Sequence, residues 1–288
     1  MNANTPGWYL VIDVAECTNC HNCVLAAKDE LVGNDFPGYS RPHPPQGQGV
    51  VRIERHVRGS TPMVDAAYVP RLCNHCDDAP CLKAGGADGA VRKRPDGIVV
   101  FDPVKAKGRR DLVDACPYDA VVWNEAELLP QTWFFDAHLL DQGAAAPRCV
   151  PVCPTRAIEA VKLPAPAMAE RVAAEGLRPL RPELQTRPRV FYRHLHRADR
   201  LFIGGSVAAP VDGVLDCVEG ARVELWRHGQ RQAEARTDAF GDFKFDDQPP
   251  GAAPAEVRVV HERLGQAMRA VALEAQSICL GEILLEPA

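Results

Sequence analysis

Residues 17–23, Cys-Thr-Asn-Cys-His-Asn-Cys, form a C-x2-C-x2-C run that places three thiols on one short loop. Three thiolates at this spacing can hold three corners of an iron–sulfur cube. In the bacterial ferredoxin pattern a fourth cysteine follows three residues later and ligates the other cluster of a pair. That position is Ala27 in this chain, so the run needs a fourth thiolate from elsewhere.

Three later stretches carry related cysteine patterns. Residues 73–81 contain a C-x2-C-x4-C run, and the fourth position of this run is Gly85. Two further stretches keep the terminal Cys-Pro pair of the pattern, at Cys116 and at Cys153. The missing thiolates of these two stretches would stand at Ala106, Arg109 and Leu112 before Cys116, and at Trp133 and Asp136 before Cys149 and Cys153.

Counting thiolates restricts the possible clusters. Each of the two triplets needs one more thiolate, and Cys116 and Cys153 are the two available donors. The first triplet can take Cys153 and the second Cys116, or the reverse, and either assignment completes two [4Fe–4S] clusters. A third cluster is expected to be absent, because its site would retain only Cys149 and Asp136. The candidate ligands are Cys17, Cys20, Cys23, Cys73, Cys76, Cys81, Cys116 and Cys153.

Zinc is the competing interpretation, since paired CxxC runs also bind tetrahedral zinc. The C-x2-C-x2-C triplet and the two Cys-Pro pairs favour iron–sulfur clusters instead. His21 and His75 lie inside the cysteine loops. Because both triplets already supply enough thiolates, we expect these histidines to donate hydrogen bonds toward sulfur or toward a partner.

Composition limits the class of protein. The 288 residues are 46% apolar and 25% charged, with a formal net charge of -5, as in a folded globular protein without a basic field for nucleic acid. The sequence has no apolar run of about 18 residues, so no membrane span is expected. The start of the chain lacks the pattern of an export signal. The chain has 11 cysteines, which suggest metal binding rather than disulfides in a reducing compartment. The cysteines and the missing export pattern together predict a cytoplasmic protein.

The distribution of cysteine, proline and alternating apolar residues predicts an α+β protein in three parts. Residues 1–163 are expected to form two interleaved ferredoxin-like cluster modules, with short strands between cysteine-bearing loops. Residues 164–200 begin with a short helical stretch and continue as an Arg- and Pro-rich linker, which proline favours in an extended form. The arginines of this linker are interpreted either as solvated or as a basic surface lying on an acidic partner subunit.

Residues 201–288 show about seven short segments with period-two alternation, separated by turn signals. This pattern predicts an antiparallel β-sandwich and is similar to prealbumin-like modules. Gly241 is expected to allow a tight turn between two of the strands. Cys217 and Cys279 are expected to be buried free thiols. No constellation of catalytic residues is evident in this part or in the rest of the chain.

The chain resembles the electron-transfer (beta) subunits of the dimethyl sulfoxide reductase superfamily of molybdenum and tungsten enzymes. It is similar, more closely, to the small iron–sulfur subunits of pyrogallol–phloroglucinol transhydroxylases and resorcinol-type hydroxylases. The motifs that carry the resemblance are YLVIDVAECTNCHNC (9–23), NDFPGY (34–39), VRIER (51–55), CNHCDDAPC (73–81), DGIVVFDPVKAKGRRDLVDACPY (96–118), AHLLD (137–141) and FGDFKFD (240–246).

The resemblance implies a nested arrangement, in which the first run shares a cluster with the fourth and the second run shares one with the third. Cys17, Cys20, Cys23 and Cys153 would hold one cluster, and Cys73, Cys76, Cys81 and Cys116 the other. The implied role is a non-catalytic subunit in a heterodimer, with a large catalytic subunit that carries molybdopterin with Mo or W and acts on aromatic polyols. A higher oligomer of heterodimers is also compatible with the resemblance.

Three roles for such a protein remain open at the level of sequence. The clusters could transfer electrons released in hydroxylation of a phenolic ring, or tune a redox-neutral transhydroxylase. Alternatively, the chain could be mainly a structural scaffold that clamps the catalytic large subunit.

Overall fold

The computed structural model describes residues 4–47 and 49–286, and it groups the chain into two compact units. The first unit comprises residues up to Arg55 together with Tyr68–Leu195. The second comprises His56–Ala67 together with the chain from His196 onward. The limits of independently folding domains, placed by the sequence at 1–163 and 201–288, remain a prediction.

The chain up to Arg193 alternates short strands and short helices. Its elements are β1 (Gly7–Asp13), α1 (Asn22–Leu31), β2 (Arg52–Ser60), β3 (Met63–Arg71), α2 (Pro80–Gly85), β4 (Val91–Lys93), β5 (Val99–Phe101), α3 (Asp111–Asp114), β6 (Val121–Asn124), β7 (Leu129–Thr132), α4 (Ala137–Asp141), β8 (Ile158–Leu163), α5 (Ala165–Glu175), a 3-10 helix (Pro182–Leu184) and β9 (Val190–Arg193).

The central sheet of the first unit has the order β8–β1–β9. Strand β1 is rich in the aromatic and β-branched residues that favour strands, and six of its seven residues are buried. It pairs antiparallel with β8, with Ile12 opposite Ile158, and parallel with β9, with Leu10 opposite Val190. This pairing brings the loop that follows β1 beside the loop that precedes β8.

The segment predicted as a linker is more ordered than its proline content suggested. Met168 of helix α5 and Leu177, just beyond the end of that helix, pack against Tyr9 and Val11 of β1. Farther along, Arg189 is buried and its guanidinium forms an ion pair 2.7 Å from Asp77. The extended connector expected from proline is not observed: Arg181 and Arg187, each followed by proline, have φ values of 48° and 49°, and Pro182–Leu184 forms the 3-10 helix. Backbone pairing gives the segment a defined place in the first unit.

The second unit contains α6 (His196–Asp199) and a β-sandwich. Its strands are β10 (Leu201–Val211), β11 (Val214–Cys217), β12 (Arg222–Arg227), β13 (Gln230–Arg236), β14 (Asp242–Gln248), β15 (Ala255–His261), β16 (Gly265–Val271) and β17 (Ile278–Leu284). In one sheet β10 pairs with β11, β14 and β17, and the other sheet has the order β13–β12–β15–β16. Buried side chains from both sheets form one core that includes Ile203, Val223, Phe243, Val257 and Ile283.

The predicted α+β class and C-terminal sandwich are confirmed, with two differences in detail. Strand β11 was not predicted, and β17 runs parallel to β10, whereas the other pairs in the two sandwich sheets are antiparallel. Gly241 has a φ of 78°, and a Cβ there would lie 2.5 Å from the Val207 carbonyl oxygen, so the tight turn requires glycine.

The expectation of buried thiols at Cys217 and Cys279 is wrong. Both cysteines are free, but Cys217 is exposed and Cys279 is half-buried. Cys217 is exposed because it lies on β11, a four-residue edge strand in which every residue is exposed.

No helix in the described residues has both the length and the apolar character needed to cross a bilayer.

A buried ion network holds part of the second unit together. The side chain of Arg58 is 7% exposed, and its guanidinium lies 2.6 Å from the carboxylates of both Asp65 and Asp246. Arg197 pairs with Asp65 at 2.5 Å, and Lys244 pairs with Asp246 at 3.0 Å. Burial would raise the pKa of Asp65, but hydrogen bonds from Arg197 and Arg58 outweigh it and hold that pKa well below its usual range. The carboxylate therefore stabilises the fold while it is ionised.

Replacing Asp65 by Asn is expected to lower the free energy of unfolding by about 3 kcal/mol at pH 7, because it leaves buried cations with one partner fewer. The difference from wild type should shrink as the pH falls below about 4, since the wild-type contribution is present above the unfolded pKa and lost on protonation. Urea unfolding at several pH values measures this. Asp212→Asn, at an exposed turn, is the matched control and should change little; an equal loss in both variants would contradict the role of the network.

Candidate metal centres

Cys17, Cys20, Cys23 and Cys153 line one cavity of the first unit and are called here the first thiol group. Apolar groups, including Ile53, Pro70 and Ile158, complete the walls of the cavity. Cys23 is buried, whereas Cys20 is exposed. The four thiols therefore surround a common space that lies close to the surface of the unit.

Strand pairing positions the first thiol group. The loop with the three clustered cysteines follows β1, and Cys153 lies in the loop before β8, so the β1–β8 pairing brings them to one end of the sheet. The side-chain amide of Asn22 donates a 3.2 Å hydrogen bond to the Val152 carbonyl and ties the two loops together. Asn19 and His21 have φ values of 60° and 62°, so the tight loop uses two left-handed residues.

Cys73, Cys76, Cys81 and Cys116 line another cavity and form the second thiol group. Three of these cysteines are buried, and Cys116 is half-buried. The first three follow β3 and enter α2, while Cys116 follows α3. The second thiol group is therefore more enclosed than the first.

Residues 186–189 lie along the loop of the second thiol group. The Asp77 and Asp78 amides donate to the carbonyls of Arg187 and Thr186, and the Arg189 amide donates to the Asn74 carbonyl. The Thr186 hydroxyl also lies 2.6 Å from the Tyr118 hydroxyl, two residues beyond Cys116. A segment predicted as a linker thus helps to fix the second thiol group.

The arrangement favours a cluster over a single ion. A structural zinc needs four ligand atoms within about 2.3 Å of one metal centre. Within residues 4–47 and 49–286, no group of three or more His, Cys, Asp or Glu side chains is arranged to hold a single metal ion. Each thiol group instead surrounds a cavity, as a polynuclear cluster with thiolates at its corners requires.

Burial controls the protonation of the thiols. Burial raises the pKa of Cys23 to about 11, and the neighbouring thiol of Cys17 adds to the effect. In the second thiol group, burial raises the pKa of Cys81 to about 12, with Cys116 the next contributor. The metal-free thiols of Cys23 and Cys81 therefore keep their protons at neutral pH, and binding of metal has to displace these protons.

His75 does not donate to sulfur, contrary to the expectation from sequence. Its Nδ1 lies 3.8 Å from the Cys73 sulfur but accepts a 3.1 Å hydrogen bond from the Val99 amide. Burial lowers the pKa of His75 to about 3, so the ring is neutral and its proton is on Nε2. The ring centroid lies 5.6 Å from that of Trp133. His75 therefore supports the loop by accepting a backbone proton, and His21, which is exposed, remains a candidate for contact with a partner.

Aromatic side chains fill the region of the incomplete fourth run. Trp133 is 1% exposed, and its ring packs 4.9 Å from that of Phe135. Trp133 Nε1 donates to Asp136 at 3.2 Å, and the Arg148 amide donates to the other carboxylate oxygen at 2.8 Å. Cys149 is buried nearby, where burial and then the Asp136 charge raise its thiol pKa. Trp133 and Asp136, which stand at two ligand positions of the pattern, are thus engaged with each other in the packed interior.

A separate cavity of the first unit contains neither of the two thiol groups. It has a volume of about 350 Å³ and lies beside α1, where Ala27, Lys28 and Leu31 contribute to its wall. None of the described residues that line it is a cysteine.

Comparison with known proteins adds an independent observation. Residues 64–163 match the family model described as a 4Fe-4S dicluster domain. The chain is 43% identical over 242 residues to the pyrogallol hydroxytransferase small subunit of Pelobacter acidigallici, covering 83% of this chain and 86% of that one. It is 31% identical to a subunit of the tetrathionate reductase of Salmonella typhimurium, with 66% and 73% covered. It is 33% identical to the arsenate respiratory reductase iron-sulfur subunit of a Shewanella species, with 48% and 53% covered.

The raised thiol pKa values predict that the metal-free chain loses stability in alkaline solution. Because the folded pKa of Cys81 exceeds the unfolded value of about 8.5, its contribution is intact below that pH and is lost as the pH rises toward 12. Cys81→Ala should remove about 1–2 kcal/mol of this loss at pH 10. Thermal unfolding of the metal-free chain from pH 7 to 10 measures it, with Cys217→Ala on the exposed edge strand as control. Identical alkaline slopes in all three proteins would contradict the assignment.

Proposed function

Because the chain belongs to the family of iron–sulfur small subunits that includes the Pelobacter pyrogallol hydroxytransferase small subunit, we propose that it carries electrons for a molybdopterin-dependent partner. In this proposal the partner is a large subunit with Mo or W that hydroxylates or transhydroxylates aromatic polyols. The chain itself contributes no catalytic residue. It holds two [4Fe–4S] clusters and works in the cytoplasm as part of a heterodimer, with higher oligomers of that heterodimer also compatible.

The grouping of eight cysteines into two sets of four supports this proposal. The sets follow the nested order of the family, with the first triplet beside Cys153 and the second beside Cys116. The alternative pairing would require Cys116 to leave the cavity that it shares with Cys81. The proposed ligands of one cluster are therefore the first thiol group, and those of the other are the second thiol group.

The protein supplies binding, burial and orientation for the clusters. A bound [4Fe–4S] cluster provides one-electron chemistry at a potential set by its surroundings. Backbone amides of Asn19 and Val24 donate toward Cys17 and Cys23, and the His75 amide donates toward Cys73, so the loops stabilise thiolate charge. The exposed Cys20 makes the first thiol group the more accessible of the two for exchange with a partner. The second thiol group is shielded from water by its burial.

The proposal of an aromatic polyol as substrate rests on one relative. The name of the Pelobacter protein specifies pyrogallol, whereas the Salmonella and Shewanella relatives are subunits of reductases for tetrathionate and arsenate. The coverage and identity are highest for the Pelobacter protein among these three, which supports an aromatic polyol. Purifying the chain from its source with its bound partner, followed by a substrate screen, tests this part of the proposal.

Iron analysis tests the cluster assignment. We expect about eight iron atoms per chain, since each of two cubes holds four. Cys116→Ser should lower the iron content to about half and leave the spectrum of the other cluster, because it removes one ligand of the second thiol group only. Cys149→Ala is the matched control and should keep the full iron content. A chain that contains zinc instead, or loses iron equally with Cys149→Ala, would contradict the assignment.

Reduction during turnover separates electron transfer from a scaffold role. In the complex with its partner, addition of substrate should convert clusters to a paramagnetic reduced state that disappears on addition of an electron acceptor. Freeze-quench electron paramagnetic resonance measures this conversion. Clusters that stay oxidised while product accumulates would favour tuning or a structural scaffold over electron transfer.

A further inference from the structure

Lys93 is buried against the loop that carries the second thiol group. Its side chain is 7% exposed, and its Nζ donates to the carbonyl oxygens of His75 at 2.9 Å and Cys76 at 2.6 Å. The same ammonium lies 3.0 Å from a carboxylate oxygen of Asp77. The three N–H groups of this ammonium thus all face acceptors on residues 75–77 of the cysteine loop.

Arg189 places a second cation on the same carboxylate. Its Nε donates to Asp77 at 2.7 Å, its side chain is 9% exposed, and its guanidinium lies over the Tyr9 ring at 4.7 Å. Gly97 makes room for the guanidinium: it has a φ of 89°, and a Cβ there would lie 2.4 Å from the Arg189 Cζ. The arginine therefore occupies a space that the fold provides for it.

The charges in this network do not cancel. Lys93 and Arg189 supply two positive charges, and the one carboxylate that both contact, Asp77, supplies one negative charge. Asp78, the next residue, is paired with the exposed Lys83 at 2.8 Å. The buried network thus leaves one net positive charge beside a loop of the second thiol group, where the low dielectric of the interior strengthens its effect.

We propose that Lys93, together with Arg189, raises the reduction potential of the cluster at the second thiol group. The proposal rests on the proposed function, since it requires a cluster at that site. One-electron reduction adds one negative charge to the cluster, and a fixed buried positive charge stabilises the reduced form more than the oxidised form. Lys93 and Arg189 are positioning residues here: they contact the cysteine loop, from which their charge acts on the cluster, and they contact no substrate.

A redox titration of the iron-loaded complex, followed by electron paramagnetic resonance, tests the proposal. Lys93→Met removes the charge and keeps the length of the side chain. At a fixed potential it should lower the ratio of reduced to oxidised second cluster at least tenfold, which equals about 59 mV for one electron, and leave the first cluster unchanged. Lys83→Met makes the same charge change on an exposed side chain near Cys81 and should shift the ratio by less than about threefold.

Asp77→Asn gives the opposite sign. It removes the negative charge of the network and should raise the proportion of reduced second cluster at the same potential. If Lys93 and Asp77 only supported the structure of the loop, the shift in the proportion of reduced cluster would not have opposite signs in the two variants. This variant also decides the question if Lys93→Met fails to retain iron.

The outcomes distinguish failure of this inference from failure of the proposed function. Two clusters with unchanged potentials in both variants, or a shift of the same sign in both, would overturn the role of Lys93 and leave the cluster assignment intact. Absence of iron from the wild-type chain would instead overturn the proposed function.

Discussion

Antiparallel pairing of β1 with β8 is the interaction on which the first candidate site depends. Cys23 and Cys153 are 130 residues apart in sequence, so only the tertiary structure can bring them to one site. The six registered residue pairs between β1 and β8 set the ends of both strands, and the two cysteine loops leave the sheet at the same end. Pairing of β9 with the other edge of β1 then carries residues 186–189 to the second thiol group.

Electrostatics differ between the two thiol groups in a way that cysteine spacing does not reveal. Burial opposes ionisation of Cys23 in the first group and of Cys81 in the second, so each loop must compensate thiolate charge. In the first thiol group the compensation that the structure displays comes from backbone amides, such as that of Val24 beside Cys23. In the second, burial also raises the pKa of Cys76, but the Thr186 hydroxyl and the Lys93 ammonium act in the opposite direction. The two thiol groups thus have the same four-cysteine composition but lie in different electrostatic environments.

Local patterns predicted the parts of the fold that local physics controls. Alternating apolar residues identified most strands of the sandwich, and the short helical stretch at the start of 164–200 corresponds to α5, which the structure ends at a left-handed Gly176. The same patterns missed β11, whose four residues are all exposed and therefore show no buried face. They also gave the wrong role to Arg189, because a buried arginine is recognised only through its distant partner Asp77. The hydrogen bonding of His75 was mispredicted for the same reason, because its donor is the Val99 amide, 24 residues away.

The region of the incomplete fourth run is packed with large protein side chains. Removing a cluster from a packed interior would leave a cavity, and an unfilled cavity destabilises a fold in proportion to its volume. Trp133 and Phe135 supply large apolar volume in this region, and both carboxyl oxygens of Asp136 accept hydrogen bonds. Burial raises the pKa of Asp136, while the hydrogen bonds from the Arg148 amide and Trp133 act in the opposite direction. Trp133 and Phe135 thus fill the space around two ligand positions of the ferredoxin pattern, and protein donors hold the carboxyl group of Asp136.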